Sequence, residues 1–93
     1  MTIDRSKIGK RIRKIIISKM KLGDVEEEVT PDKKFFEISE VSYKNFWKMC
    51  RGLEGEFKEH KIIIKDSDED KLLTLNSTID FIIFKIKKSK GRS

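Results

Sequence analysis

The sequence predicts an all-α protein, a small four-helix bundle of three longer helices and one short one, on three observations. Apolar residues recur every three or four positions in three separate stretches, which is the period of a helix with one buried face. The one β-branched run that could make a strand, Ile62-Ile63-Ile64, has no partner run to pair with. At 93 residues the chain has room for one core only, so residues 1–93 are read as a single domain.

In the first stretch Ile8, Ile12, Ile15, Ile16 and Met20 form one stripe, while Lys7, Lys10, Arg11, Arg13 and Lys14 occupy the other faces. Residues 1–21 are basic and almost free of acids, as an organellar transit peptide is, but the stripe marks a core helix. Gly23 is the expected left-handed stop after its last turn. Residues 24–41 form a long loop with Thr30-Pro31-Asp32 as a turn, and Phe35 or Phe36 is the ring expected to pin it between the helices.

A second helix runs from Tyr43 to near Lys58, with Phe46, Met49, Cys50, Leu53 and Phe57 on its stripe and Ser42 as its N-cap. Ile62-Ile63-Ile64 then reads as an extended connector, and Asp66 with Glu69 as a capping box that opens a short third helix. The final helix enters through Thr74 and carries Leu75, Ile79, Ile82, Ile83 and Ile86 on one face. Lys85, Lys87 and Lys88 suit the negative end of its dipole, and a frayed basic tail is expected from about residue 89.

Charged residues make up 41% of the chain and hydrophobic ones 37%, so a modest core must be built from well-placed isoleucines. The longest apolar runs, Ile15-Ile16-Ile17 and Phe81-Ile82-Ile83-Phe84, fall far short of the roughly 20 residues that cross a bilayer. With no signal-peptide pattern and a lone Cys50, the expected setting is a reducing one, cytoplasm or organelle matrix, and the expected state a monomer. The net charge of +6 is split between basic ends and acidic stretches at Asp24–Glu40 and Asp66–Asp70. Basic ends can attract nucleic acid or an anionic membrane, yet no nucleic-acid-binding signature accompanies them and the acidic loop repels phosphates.

Chemistry-bearing motifs are few. Asp66, Asp68 and Asp70 copy the start of a calcium loop, but Lys71 and Ser77 stand where that loop needs glycine and a carboxylate, so a solvated acidic turn is expected. One His and one Cys give no zinc spacing; His60 is read as a surface residue and Cys50 as a small core hydrophobe. Ser42, His60 and the carboxylates form no nucleophile-base motif, and no enzymatic activity is predicted.

Two blocks of sequence carry a resemblance. The first holds Leu22-Gly23, the acidic Val25-Glu26-Glu27-Glu28-Val29-Thr30, Phe35-Phe36-Glu37 and Leu53-Glu54-Gly55-Glu56-Phe57; the second is Leu73-Thr74-Leu75-Asn76-Ser77-Thr78-Ile79-Asp80-Phe81-Ile82. With the first helix they cover nearly the whole chain, and they resemble the acyl carrier protein family, a phosphopantetheine-binding carrier domain. The resemblance implies a bundle of acyl-carrier type whose second helix begins at a serine bearing 4′-phosphopantetheine. The family's Asp-Ser-Leu is here Val41-Ser42-Tyr43. An ungapped alignment from Phe35 to Phe57 puts Tyr43 in the serine's slot, and a one-residue slip in the loop, offset by an insertion in the second helix, puts Ser42 there.

Ser42 is the candidate attachment site, since a helix start offers free N–H groups and a positive dipole end to a phosphodiester. What the resemblance implies for function is presentation of an acyl thioester to enzymes of fatty acid or related acyl metabolism, with the second helix as recognition surface. Lys44, Trp47, Lys48 and Arg51 are the candidate partner contacts, which calls for a partner with an acidic patch. The alternatives are the same fold acting as a protein-binding module without a prosthetic group, and, more remotely, a basic helical nucleic-acid-binding domain.

Overall fold

The first helix, α1 (Arg5–Lys19), forms where the isoleucine stripe begins, and the Asp4 carboxylate caps it by accepting the Ser6 and Lys7 N–H groups at 3.0 and 3.2 Å. The computed structural model describes residues 4–38 and 41–90. Over them the protein is all-α: α1, α2 (Tyr43–Glu56) and α3 (Leu75–Lys90) are joined by 3₁₀ turns, and the only β pairing is an isolated bridge between Lys34 and Thr74. α1 packs against both α2 and α3 and buries Ile12 and Ile16, with Met20 buried just past its last residue.

The stop after α1 differs from the sequence expectation. The left-handed residue is Lys21, at φ 57°, and Gly23 instead opens the next 3₁₀ turn (Gly23–Glu28) without a positive φ. The reason lies in Leu22: its N–H closes back on the Ile17 carbonyl at 2.9 Å and its side chain is fully buried, so the chain must reverse one residue before it. Lysine therefore occupies a backbone region that glycine enters at no steric cost.

The loop that follows is held by Val29, Phe35 and Ile38, all buried. Phe35, not Phe36, is the inserted ring, and it contributes about 1.5–3 kcal/mol if fully transferred from water. Its N–H donates to the Leu73 carbonyl at 2.8 Å, and Asn76 N–H donates to the Pro31 carbonyl at 3.0 Å. The loop is thus tied to the start of α3.

α2 starts where the sequence places it, with the Ser42 hydroxyl accepting the Asn45 N–H at 3.1 Å. Phe46, Met49, Cys50 and Leu53 face the core, Phe57 closes the helix, and a short 3₁₀ turn (Lys58–His60) follows. His60, expected at the surface, is half-buried, because this turn folds back against α3.

The isoleucine connector is extended, with Ile62 and Ile64 buried and Ile63 64% exposed. Its backbone is satisfied by α2 side chains in place of a neighbouring strand: Ile64 N–H donates to the Glu54 carboxylate at 2.7 Å, and Arg51 donates to the Ile64 carbonyl at 2.7 Å. The short helix after it is a 3₁₀ turn, Asp66–Lys71, closed by Asp68 rather than by the Asp66–Glu69 pair. Lys65 is the residue that precedes the turn, so the carboxylate three positions on, Asp68, accepts its N–H at 3.0 Å.

At the head of α3, Thr74 and Ser77 cap each other: Ser77 N–H donates to Thr74 Oγ1 at 3.0 Å and Thr74 N–H to Ser77 Oγ at 3.1 Å. Leu75, Ile79, Ile82 and Ile86 are buried as the stripe requires, Phe81 joins them, and Ile83 is half-buried at the edge. The helix continues to Lys90 instead of fraying from residue 89; the rest of the expected tail, residues 91–93, lies outside the described residues.

Candidate functional site at the head of α2

Ser42 stands exposed at the first turn of α2, preceded by the half-buried Val41. Its oxygen serves as cap acceptor for Asn45, which fixes the hydroxyl at the point where the first N–H groups of the helix face outward. A phosphodiester at this oxygen would meet those N–H groups, the positive dipole end and the exposed Lys44, so the donor set suits that group.

Tyr43, the first helical residue, is 57% exposed and its hydroxyl donates to the Glu69 carboxylate at 2.6 Å. That hydrogen bond holds the phenol above its ordinary pKa. It also joins the head of α2 to the Asp66–Lys71 turn.

Around Tyr43 the rings of Phe36, Phe46 and Trp47 form one cluster. Phe36 lies 5.1 Å from Phe46 and 6.1 Å from Tyr43, and Trp47 stands edge-on to both Phe46 and Tyr43 at 5.1 and 6.0 Å. Phe46 is the buried anchor, Trp47 is half-buried, and Phe36 is 40% exposed. Lys44 and Lys48, one turn apart, are exposed beside this cluster.

Arg51 is exposed too, but its guanidinium is engaged with the Ile64 carbonyl and with Glu54 at 3.2 Å. It also lines, with Lys48, Lys19, Ile15, Gly52 and Gly55, an open groove of about 530 Å³ between α1 and α2. The structure thus brings Ser42, Tyr43, Lys44, Trp47 and Lys48 to one end of α2 and sets Arg51 further along it.

Sequence reasoning missed Phe36 and Glu69 as members of this site. Phe36 could have been found as the second of two adjacent phenylalanines, since two neighbours in a tight turn cannot both face the core; nothing local points to Glu69. Elsewhere, burial pushes the Cys50 thiol up to about 12, which leaves it protonated and unreactive at neutral pH. Among the described residues no group of three His, Cys, Asp or Glu side chains is arranged to hold a metal ion, and no helix is long and apolar enough to cross a membrane. Compared with family models, curated proteins and solved structures, the chain gives no match.

Proposed function

We propose that the chain is an acyl-carrier-like protein that presents an acyl thioester to partner enzymes from a 4′-phosphopantetheine arm on Ser42. The observation that carries this reading is the exposed Ser42 hydroxyl at the N-cap of a 14-residue helix. The order long helix, pinned loop, long helix, 3₁₀ turn, long helix agrees with an acyl-carrier-type bundle in which the Asp66–Lys71 turn stands in the place of the short helix. When attached, the arm supplies a mobile thiol on which an acyl group is carried as a thioester.

The chain's own residues have simpler tasks. The first-turn N–H groups of α2 and Lys44 offset the charge of a phosphodiester. The Tyr43–Glu69 hydrogen bond steadies the head of the helix. Lys44, Trp47 and Lys48, with Arg51 further along, form a recognition surface for an acidic patch on an acyl-transferring or acyl-modifying enzyme, setting partner choice and on-rate more than affinity. The protein carries cargo and leaves its transformation to the partner.

Co-expression with a broad-specificity phosphopantetheinyl transferase, followed by intact-mass measurement, tests the reading. A gain of one phosphopantetheine that disappears in Ser42→Ala is expected. No gain, or a gain that survives the substitution, overturns attachment at Ser42.

One observation favours a second reading, the same fold as a protein-binding module without cargo. The Ser42 hydroxyl is already engaged as the cap of α2, accepting the Asn45 N–H at 3.1 Å, a role that needs no prosthetic group. An unchanged mass together with binding through the Phe36–Tyr43–Trp47 surface would select it.

A further inference from the structure

Lys61, Lys65, Lys85 and Lys88 gather around an open concavity of about 360 Å³ between the isoleucine connector and the end of α3. No carboxylate lines it, and among the described residues none of the four lysines takes part in an ion pair. Lys85 also lines the adjoining depression of about 460 Å³ with Phe81, Phe84 and Lys71, so the two hollows form one continuous face. The acid at its far end, Asp80, is paired with Arg5. Lys71 is paired with Asp68 at 3.9 Å, and the other oxygen of that carboxylate accepts the Lys65 N–H.

The same face holds the two most exposed purely hydrocarbon side chains of the described residues, Ile63 at 64% and Phe84 at 59%. Ile63 projects outward because its neighbours Ile62 and Ile64 point into the core, and Phe84 lies on the side of α3 opposite Ile82 and Ile86. Lys85 Nζ lies 5.3 Å from the Phe81 ring centroid, a contact that leaves its charge without a carboxylate partner. Large apolar side chains set among lysines without ion pairs meet two needs of a surface that contacts lipid: apolar groups to enter the acyl boundary and cations to meet anionic headgroups. A second copy of the chain is a poor occupant, since a two-fold contact would set these lysines against each other. Nucleic acid would satisfy the lysines but gives an aliphatic Ile63 nothing to stack on.

We propose that the face formed by the Ile62–Lys65 connector and the outer side of α3 docks on an anionic phospholipid bilayer, with Ile63 and Phe84 entering the interface and Lys61, Lys65, Lys85 and Lys88 contacting the headgroups. This does not depend on the carrier reading, because Ser42 takes no part in it. The lipid contact is interfacial; among the described residues no helix is long and apolar enough to cross a bilayer.

Co-sedimentation of the full chain with phosphatidylcholine vesicles, with and without phosphatidylserine, tests the proposal. Binding that requires phosphatidylserine and weakens with salt is expected, and the double substitution Ile63→Ser with Phe84→Ser should lower it at least about tenfold. Lys85→Glu with Lys88→Glu should lower it as far and flatten its salt dependence. Ile63, Phe84 and Lys88 are exposed and Lys85 is half-buried with its ammonium 5.3 Å from the Phe81 ring centroid, so circular dichroism should show an unchanged fold in both variants, and Ser42→Ala should bind as the parent does. No sedimentation with phosphatidylserine vesicles, equal sedimentation with phosphatidylcholine alone, or wild-type binding by the Ile63→Ser, Phe84→Ser protein overturns the proposal. Tight binding of an oligonucleotide that the same double substitution leaves unchanged would also overturn it and reassign the face to nucleic acid.

Discussion

Cys50 and Lys21 show how single residues accept an unfavourable state imposed by the fold. Burial raises the Cys50 thiol to about 12, whereas in an unfolded chain it titrates near its ordinary value of about 8.5. Below that value both states hold the proton and folding loses nothing. Above it the unfolded chain releases the proton and the native protein keeps it, so stability falls as pH rises from about 8.5 towards 12. Urea unfolding at about pH 10 and at neutral pH should show the parent losing about 1–2 kcal/mol more than Cys50→Ala loses over the same interval. An equal loss in both proteins would mean that the thiol is accessible in the native state.

Lys21 holds φ 57° because Leu22 must turn inward. A left-handed lysine costs about 1–2 kcal/mol, and glycine removes that cost while adding entropy to the unfolded chain. Lys21→Gly should therefore raise the stability by a net of about 0.5–1 kcal/mol, read as a higher urea midpoint at unchanged m-value. A lower midpoint would show that the lysine side chain contributes more than its backbone costs.

Within α2 two glycines three residues apart have different environments. A Cβ on Gly55 would meet nothing within 4 Å, whereas one on Gly52 would lie 2.9 Å from Lys19 Cγ and 3.1 Å from Ile15 Cγ2. Gly52 is thus a point of close approach between α2 and the side chains of α1, and Gly55 is only a weak helix former. Gly55→Ala should stabilise by about 1 kcal/mol through helix propensity alone. Gly52→Leu, which gains propensity too, should instead lose about 1–3 kcal/mol as it forces α1 outward. Thermal unfolding of the two variants checks both signs, and a stabilised Gly52→Leu would mean that the α1–α2 contact yields easily.

Across the whole molecule, what could be read from the sequence is what depends on neighbours in the chain. The three long helices follow from stripes of period 3.6, and the caps at Ser42 and Thr74 follow from a hydroxyl just before each stripe. The left-handed Lys21 could not be read, because lysine has no preference for that region and the cause is the burial of the next residue. Glu69 could not be assigned to Tyr43 for a similar reason: 26 residues separate two groups that only packing brings together. The lysine face was hidden in the same way, since its cations come in two pairs, Lys61 with Lys65 and Lys85 with Lys88, from segments that only packing brings together. Of the candidate site, Ser42, Tyr43, Lys44, Trp47 and Lys48 were legible because they are consecutive turns of one helix.

The chain has a single tryptophan, and it stands edge-on to Tyr43 within two turns of Ser42. Its indole emission therefore comes from one known place, half in water and half against Phe46. Any molecule that covered the head of α2 would strip solvent from that ring, so an encounter there could be followed by the chain's own emission with no added dye.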